Sequence, residues 1–149
     1  MQVREVIETL GLKLMTHEVP VDVDVIGGYA SDLLSNVMGQ AAPGMIWVTM
    51  QGHQNIAAVA SLIGLSAVIV AGDAPIEEDT LKKAEQNDVL ILATSLPAYD
   101  VIGKLYEYSC WLLLTIMLRL MLWRRFRLVN VMVLRCSREW KLNAGKKRI

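Results

Sequence analysis

Residues 45–50 (MIWVTM), 66–71 (SAVIVA) and 89–94 (VLILAT) decide the fold of this chain. Each run is short, almost wholly apolar and contains β-branched residues, as expected of strands that are buried on both faces. Between them, residues 53–63 are rich in alanine and residues 77–87 place acidic residues before lysines, a polarity that suits a helix dipole. Strands that alternate with helices in this way predict an α/β fold with a mostly parallel sheet.

The sequence before and after these runs supplies the remaining elements. Apolar residues at helical spacing predict a helix over residues 2–10, and residues 12–16 and 21–25 have the pattern of strands. A further helix is predicted after Ser31, with Asp32 in its first turn, and a last helix over residues 97–108. The expected architecture is three-layer α/β/α, with a mixed, mostly parallel sheet of about five strands.

The chain changes character near residue 109. Residues 1–109 carry five basic and fourteen acidic residues, a net charge of −9, whereas residues 110–149 carry ten basic residues and one acidic residue. We therefore divide the chain into an α/β domain over residues 1–109 and a basic, apolar C-terminal extension over residues 110–149. The extension is interpreted as out-of-frame or fused, non-native sequence. The alternatives are a segment that lies on an acidic membrane surface and a helix that docks on the acidic domain.

Several classes of protein are excluded by what the sequence lacks. No apolar run approaches the ~20 residues that span a bilayer, and the N-terminus lacks a signal peptide's apolar centre, so a cytoplasmic location is expected. Two cysteines are too few for a disulfide framework or a zinc site. With neither a P-loop nor a nucleophile elbow, we expect no catalytic residue, metal or cofactor. A net charge of −9 over the domain argues against nucleic acid as a partner.

The first group of candidate binding residues lies between a predicted strand and a predicted helix start. Backbone amides at a helix start attract anions, and glycine lets a ligand approach the backbone. A tight turn that requires positive φ explains the same glycine pair without any ligand. The group consists of Gly27, Gly28, Tyr29, Ser31 and Asp32.

A second group follows the third predicted strand and consists of Gln51, His53, Gln54 and Asn55. Ligands of parallel α/β sheets bind beyond the carboxyl ends of the strands, which is where these donors and acceptors lie. The alternative is a polar helix cap in which His53 is half-exposed.

The third group, Thr94 and Ser95, closes the fifth predicted strand. Their hydroxyls are candidate ligand contacts, and the favoured alternative is that they cap the helix that begins near Pro97. His17, beside Glu18, is interpreted as a surface residue of a hairpin.

Residues 22–35 (DVDVIGGYASDLLS) resemble the DRTGG domain family. The likeness continues through residues 47–49 (WVT), 51–60 (QGHQNIAAVA) and 102–107 (IGKLYE), and so covers residues 1–108 in order. In the family's naming motif an arginine follows the aspartate and a threonine precedes the two glycines. This chain has valine and isoleucine at those positions, which weakens the case for a bound phosphate.

The resemblance implies a domain similar to the N-terminal, non-catalytic domain of HPr kinase/phosphorylase. Related domains lie beside nucleotide-sensing CBS pairs in some pyrophosphatases and help to form a dimer. We therefore expect a non-catalytic regulatory, ligand-sensing or dimerisation module, a homodimer that binds a small anion or nucleotide. The alternatives are an accessory component of a protein kinase or phosphotransfer system, and an adaptor held at a membrane surface by residues 110–149.

Overall fold

The computed structural model describes residues 1–109, and these residues form a sheet with helices on both faces. The interpretation of residues 110–149, and the boundary drawn for them, lies outside the described residues. The elements follow in the order α1 (Val3–Leu10), β1 (Lys13–Leu14), β2 (Gly27–Ala30), α2 (Leu34–Gln40), β3 (Met45–Thr49), α3 (Asn55–Ile63), β4 (Ala67–Val70), α4 (Glu78–Gln86), β5 (Ile91–Ala93) and α5 (98–109).

The five strands form one mixed sheet in the order β1-β5-β4-β3-β2. The four strands from β2 to β5 are parallel, and β1 pairs antiparallel with β5. The predicted α/β fold and its mostly parallel, mixed sheet of about five strands are therefore confirmed. β1 is shorter than the predicted residues 12–16, although the buried Thr16 hydroxyl still accepts a hydrogen bond from the Ile91 N–H at 3.1 Å.

Alternate residues of the central strands face two separate apolar cores. Ile46 and Ile69 lie in a core that α1 and α5 cover, with Val6 and Val101 among its members. Trp47 and its neighbours on the other face of the sheet lie in a core that α2, α3 and α4 cover. The uninterrupted apolar runs of these strands are explained by this burial on both faces.

The strand predicted over residues 21–25 is the main correction to the fold. This segment does not join the sheet but lies beside the start of α1, where Val3 N–H bonds to the Val23 carbonyl at 2.9 Å and Val25 N–H to the Met1 carbonyl at 2.8 Å. The alternation of valine and aspartate is real, because the valines face the core and the aspartates face solvent. Alternation therefore indicated one buried side but not which partner the backbone pairs with.

Burial of the central strand gives a direct test of this core. Ile69 of β4 is fully buried, so we expect Ile69→Ala to lower the free energy of unfolding by about 2–5 kcal/mol through lost burial and a cavity. Tyr99→Ala is the control, since Tyr99 is 86% exposed and should change stability by about 0.5 kcal/mol or less. Urea unfolding followed by circular dichroism measures both variants. Equal effects of the two substitutions would contradict this packing.

Candidate functional site

The carboxyl ends of the four parallel strands lie along one edge of the sheet, and residues from each of the three predicted groups follow these ends. Ser31 and Asp32 follow β2, the segment 51–55 follows β3, and Thr94 with Ser95 follows β5. The loop between β4 and α4, residues 71–77, lies between the second and third of these groups. We call this set of loops the carboxyl edge.

Asp32 is fixed by two hydrogen bonds to the end of β3. Its Oδ1 accepts from the Thr49 hydroxyl at 2.6 Å and from the Met50 N–H at 2.8 Å. Among the described residues, no partner is recorded for the other carboxylate oxygen, Oδ2. Thr49 is only 2% exposed, and its hydroxyl also accepts from the Gln51 N–H at 3.1 Å. Thr49 was not among the predicted binding residues, although a polar residue that ends an apolar run is a signal that could have identified it.

Side chains from β3 and its loop hold the β2 loop in place. Gln51 Nε2 donates to the Asp32 carbonyl at 2.6 Å, and the buried Trp47 donates through Nε1 to the Ser31 carbonyl at 2.8 Å. The first and second groups of candidates are therefore in direct contact through Asp32 and Gln51. The Ser31 hydroxyl accepts from the Leu33 N–H at 3.1 Å, and α2 begins only at Leu34. Ser31 and Asp32 thus precede the helix, which corrects the prediction that Asp32 lies in its first turn.

Gly52 lies where two loops of the carboxyl edge meet. A Cβ atom at this position would lie 1.9 Å from the Pro75 carbonyl oxygen. The Gly52 carbonyl accepts hydrogen bonds from the Glu77 N–H at 3.1 Å and from the buried Thr80 hydroxyl at 2.8 Å. Only glycine fits this approach, which connects the β3 loop to the start of α4. Gly52 lies within the second predicted stretch, but it was not among the predicted binding residues.

His53 begins the turn that leads into α3. Its Nδ1 accepts a long hydrogen bond, 3.4 Å, from the Asn55 N–H, and its Nε2 lies 3.9 Å from Oε2 of Glu77. The ring is exposed, as are Gln54 and Asn55. His53 therefore has the position that the polar-cap interpretation describes, with one ring nitrogen still directed to the loop before α4.

Thr94 and Ser95 are attached to a different part of the edge. The Thr94 carbonyl accepts from the Asp73 N–H at 3.1 Å, and its hydroxyl accepts from the Leu96 N–H at 3.2 Å just before α5. This hydroxyl contact resembles the cap that the sequence favoured. With β4 between β3 and β5, Thr94 belongs with the loop after β4 and not with Asp32.

The positions of Gly27, Gly28 and Tyr29 correct the interpretation of the first group. All three lie inside β2, in register with β3, and neither glycine has positive φ. The glycine pair is at the amino end of the strand, so it offers no helix N-terminus and needs no special turn. Tyr29 is half-buried and packs against the core under α2. The hydrogen bonds between β2 and the chain before β3 begin one residue before the glycine pair, where the Ile26 N–H donates to the Gly44 carbonyl at 2.9 Å.

The carboxyl edge is acidic. Asp32, Asp73 and Glu77 lie on its loops, whereas no lysine or arginine does. The part of the chain that the structure describes contains no group of three His, Cys, Asp or Glu residues that could hold a metal ion. It also contains no helix that is both long and apolar enough to cross a membrane.

Asp22, the aspartate that the DRTGG-like segment retains, pairs with a residue of α1 and not with a loop of the carboxyl edge. Arg4 of α1 donates to both of its carboxylate oxygens, at 2.6 and 2.9 Å. The hydrogen bond and the charge of Arg4 hold the pKa of Asp22 below its ordinary value. This ion pair connects α1 to the segment of residues 21–25.

Comparison with known proteins finds a similar fold and little sequence likeness. No protein-family profile matches the chain, and no curated protein matches it. A solved structure of the CBS and DRTGG domains of the regulatory region of Clostridium perfringens pyrophosphatase, in complex with the activator diadenosine tetraphosphate, is similar with a TM-score of 0.53. The match has 12% identity and covers 68% of this chain and 46% of the other. This chain thus corresponds to less than half of that regulatory region, and the likeness supports a DRTGG-like fold.

The Arg4–Asp22 pair predicts a pH-dependent contribution to stability. Because the folded pKa of Asp22 lies below the ordinary 3.8, the pair stabilises the fold above about pH 4 and loses this effect as the pH falls further. Asp22→Asn should therefore be less stable than wild type at neutral pH, and the difference should shrink in acid. Urea unfolding at several pH values measures it. Asp24→Asn, an exposed neighbour, is the control, and a pH-independent difference for Asp22→Asn would contradict the ion pair.

The contact at Gly52 predicts a strong effect of one methyl group. Gly52→Ala places a Cβ atom 1.9 Å from the Pro75 carbonyl oxygen, so the two loops must separate. We therefore expect the free energy of unfolding to fall by about 2–3 kcal/mol. Gly103→Ala on α5 is the matched control, because its Cβ would meet nothing within 4 Å and should raise stability by about 0.5–1 kcal/mol. A Gly52→Ala variant as stable as wild type would show that Gly52 and the Pro75 carbonyl do not lie this close together.

Proposed function

We propose that this chain is a non-catalytic regulatory module that binds a small nucleotide-type ligand at the carboxyl edge. Asp32 is the observation that carries the proposal, because Thr49 and Met50 fix its Oδ1 while Oδ2 has no recorded partner among the described residues. A carboxylate held in this way can accept a hydrogen bond from a ribose hydroxyl or a base amino group with little further ordering.

The phosphates of such a ligand would need other partners than Asp32. The start of α3, at Asn55, lies at the same edge, and the positive end of its helix dipole favours an anion. The loops supply three carboxylates and no lysine or arginine, so a polyphosphate would be repelled unless a divalent cation accompanied it. We therefore expect Mg²⁺ to strengthen the binding of a polyphosphate and to matter less for a monophosphate.

A regulatory role is supported by the fold and by the motifs that the sequence lacks. The similar structure is a regulatory region in complex with a dinucleotide activator, and this chain has no P-loop or nucleophile elbow. A role as an accessory component of a phosphotransfer system would require a partner that supplies the catalytic site. A membrane-surface adaptor would depend on residues 110–149, which lie outside the described residues.

Thermal melting of the full chain tests the ligand site. We expect diadenosine tetraphosphate or ATP with Mg²⁺, or AMP, to raise the melting temperature by several degrees, since a ligand at about 100 times its dissociation constant adds about 2.7 kcal/mol. Asp32→Asn should abolish the shift, because the amide can keep the Oδ1 contacts while a donor replaces Oδ2. His53→Ala, which alters the turn into α3, should reduce it.

Asp88→Asn is the matched control for Asp32→Asn. Asp88 is exposed and precedes β5, at the opposite end of the strands from Asp32, so this variant should respond to ligand like wild type. Two results would overturn the proposal: no nucleotide shifts the melting of wild type, or Asp32→Asn responds as wild type does. In the first case a pure dimerisation module would be the better description.

A further inference from the structure

β1 is an edge strand of the sheet, and one side of its backbone is free. It pairs with β5 on one side, and no strand of the described chain lies on the other. Leu14 lies opposite Leu92 of β5, and the next residue, Met15, donates its N–H to the Ile91 carbonyl at 3.0 Å. Because hydrogen-bonded and non-hydrogen-bonded positions alternate in an antiparallel pair, the N–H and C=O of Leu14 are directed away from β5. This edge therefore offers one backbone donor and one backbone acceptor.

A groove of about 420 Å³ lies between this edge strand and α4. Its strand side is formed by β1 and the residues that follow it, and its helix side by one side of α4. Side chains at alternate positions of a strand point to the same face of the sheet, so Lys13 and Met15 line the groove together. We call it the β1–α4 groove, and its lining includes Lys13, Met15, His17, Leu81, Lys82 and Glu85.

The β1–α4 groove has an apolar part and an acidic end. Met15 and Leu81 are half-buried and pack against the core under α4. At the end near His17, the half-buried Glu85 accepts a hydrogen bond from the His17 N–H through Oε1 at 3.3 Å. Within residues 1–109, no partner is recorded for the other carboxylate oxygen of Glu85. A basic side chain that enters the groove at this end would therefore gain a charge-assisted hydrogen bond.

The two lysines of the groove differ in their contacts. Lys82 lies 3.7 Å from a carboxylate oxygen of Asp79, so its charge is already partly balanced. Lys13 is exposed, and it forms no ion pair with another residue of the described chain. A lysine on an edge strand hinders pairing with an apolar strand of another molecule. This edge therefore disfavours indiscriminate pairing and requires a polar residue beside Lys13.

These features suit an extended segment of a partner protein and not a second copy of β1. In a symmetric antiparallel pair of two β1 strands centred on Leu14, Lys13 of each copy would lie beside Met15 of the other. A lysine would then occupy the apolar part of the groove, and Gly11 would bring no basic side chain to Glu85. A segment with an apolar residue beside Met15 and a basic residue two positions earlier matches both parts of the groove.

We propose that the β1–α4 groove binds an extended segment of a partner protein, which pairs with Leu14 as an antiparallel strand and adds a further strand to the sheet. Backbone hydrogen bonds to Leu14 supply affinity, and side chains at alternate positions supply specificity. The proposal does not rest on the nucleotide site, because no residue that lines the groove lies on the loops of the carboxyl edge.

The antiparallel register assigns a chemical type to three positions of the segment. The residue before the one opposite Leu14 is apolar, because it lies beside Met15 and Leu81. The residue two positions earlier is basic, because it lies at the end of the groove that Glu85 occupies. The residue that follows the one opposite Leu14 is polar, because it lies beside Lys13.

Fluorescence anisotropy of a peptide with an uncharged dye tests the proposal on the full chain. The probe is the heptapeptide TKTITTT, in which the threonine after isoleucine is the residue opposite Leu14. We expect saturable binding to wild type. Proline in place of that threonine (TKTIPTT) should weaken binding about tenfold or more, because it removes the N–H that donates to the Leu14 carbonyl. Glutamate in place of the lysine (TETITTT) should also weaken binding, because it lies near Glu85.

Glu85→Gln is the matched change in the chain. Its amide oxygen can still accept from the His17 N–H, so the fold is kept while the charge is lost. This variant should bind TKTITTT about three- to tenfold more weakly than wild type does, whereas the uncharged peptide TQTITTT should bind both equally. Glu107→Gln is the control, because Glu107 is exposed on α5, which covers the other face of the sheet. It should bind the probe as wild type does.

The outcomes separate this proposal from the nucleotide site. Binding that proline in the peptide and Glu85→Gln in the chain both weaken would support the groove, and Asp32→Asn should leave it unchanged. A wild-type chain that does not bind the probe would overturn the proposal, as would equal binding of TKTITTT and TKTIPTT. Self-association of the chain that excess probe reverses would show that a second copy occupies the groove, and would overturn it too. None of these results depends on whether a nucleotide shifts the melting temperature.

Discussion

The burial of β3, β4 and β5 on both faces is the constraint on which the rest of the described structure depends. A strand covered on both sides has no position for a charged side chain along its length, so polar residues are confined to its ends. Because the strands are parallel, their carboxyl ends share one edge, and Asp32, Gln51 and Thr94 lie there for this reason. The same requirement keeps α1 and α5 on one face and α2 to α4 on the other.

Hydrogen bonds between loops make the carboxyl edge more ordered than a row of independent turns. Thr49 and Gln51 connect the loop after β3 to Asp32, and the approach of Gly52 to Pro75 connects it to the start of α4. Three successive loops are therefore fixed relative to one another by backbone and short side-chain contacts. A ligand that binds Asp32 would meet a surface whose shape is already set, which lowers the entropic cost of binding.

Charge divides the surface of the domain into regions with different capacities for binding. The carboxyl edge and the start of α4 are acidic, and favour donors and cations, whereas the outward sides of α2 and α3 carry no charge. A regulatory module needs a site for its ligand and a surface through which binding is communicated. In α3 the first turn lies at the carboxyl edge, and the exposed Leu62 lies in the last turn.

The sequence by itself determined the α/β class, the three buried strands and the helices between them, because burial on two faces leaves a periodic record in each short segment. It also placed Gln51 and His53 after the strand that carries them, whereas the strand before Asp32 was predicted at residues 21–25 and lies at Gly27–Ala30. Only the tertiary structure decided that residues 21–25 pair with the start of α1, that Gly27 and Gly28 lie inside a strand, and that Thr94 is separated from Asp32 by β4. Each of these depends on which backbone supplies the hydrogen-bond partner, and contacts between residues far apart in the chain leave no local pattern in it.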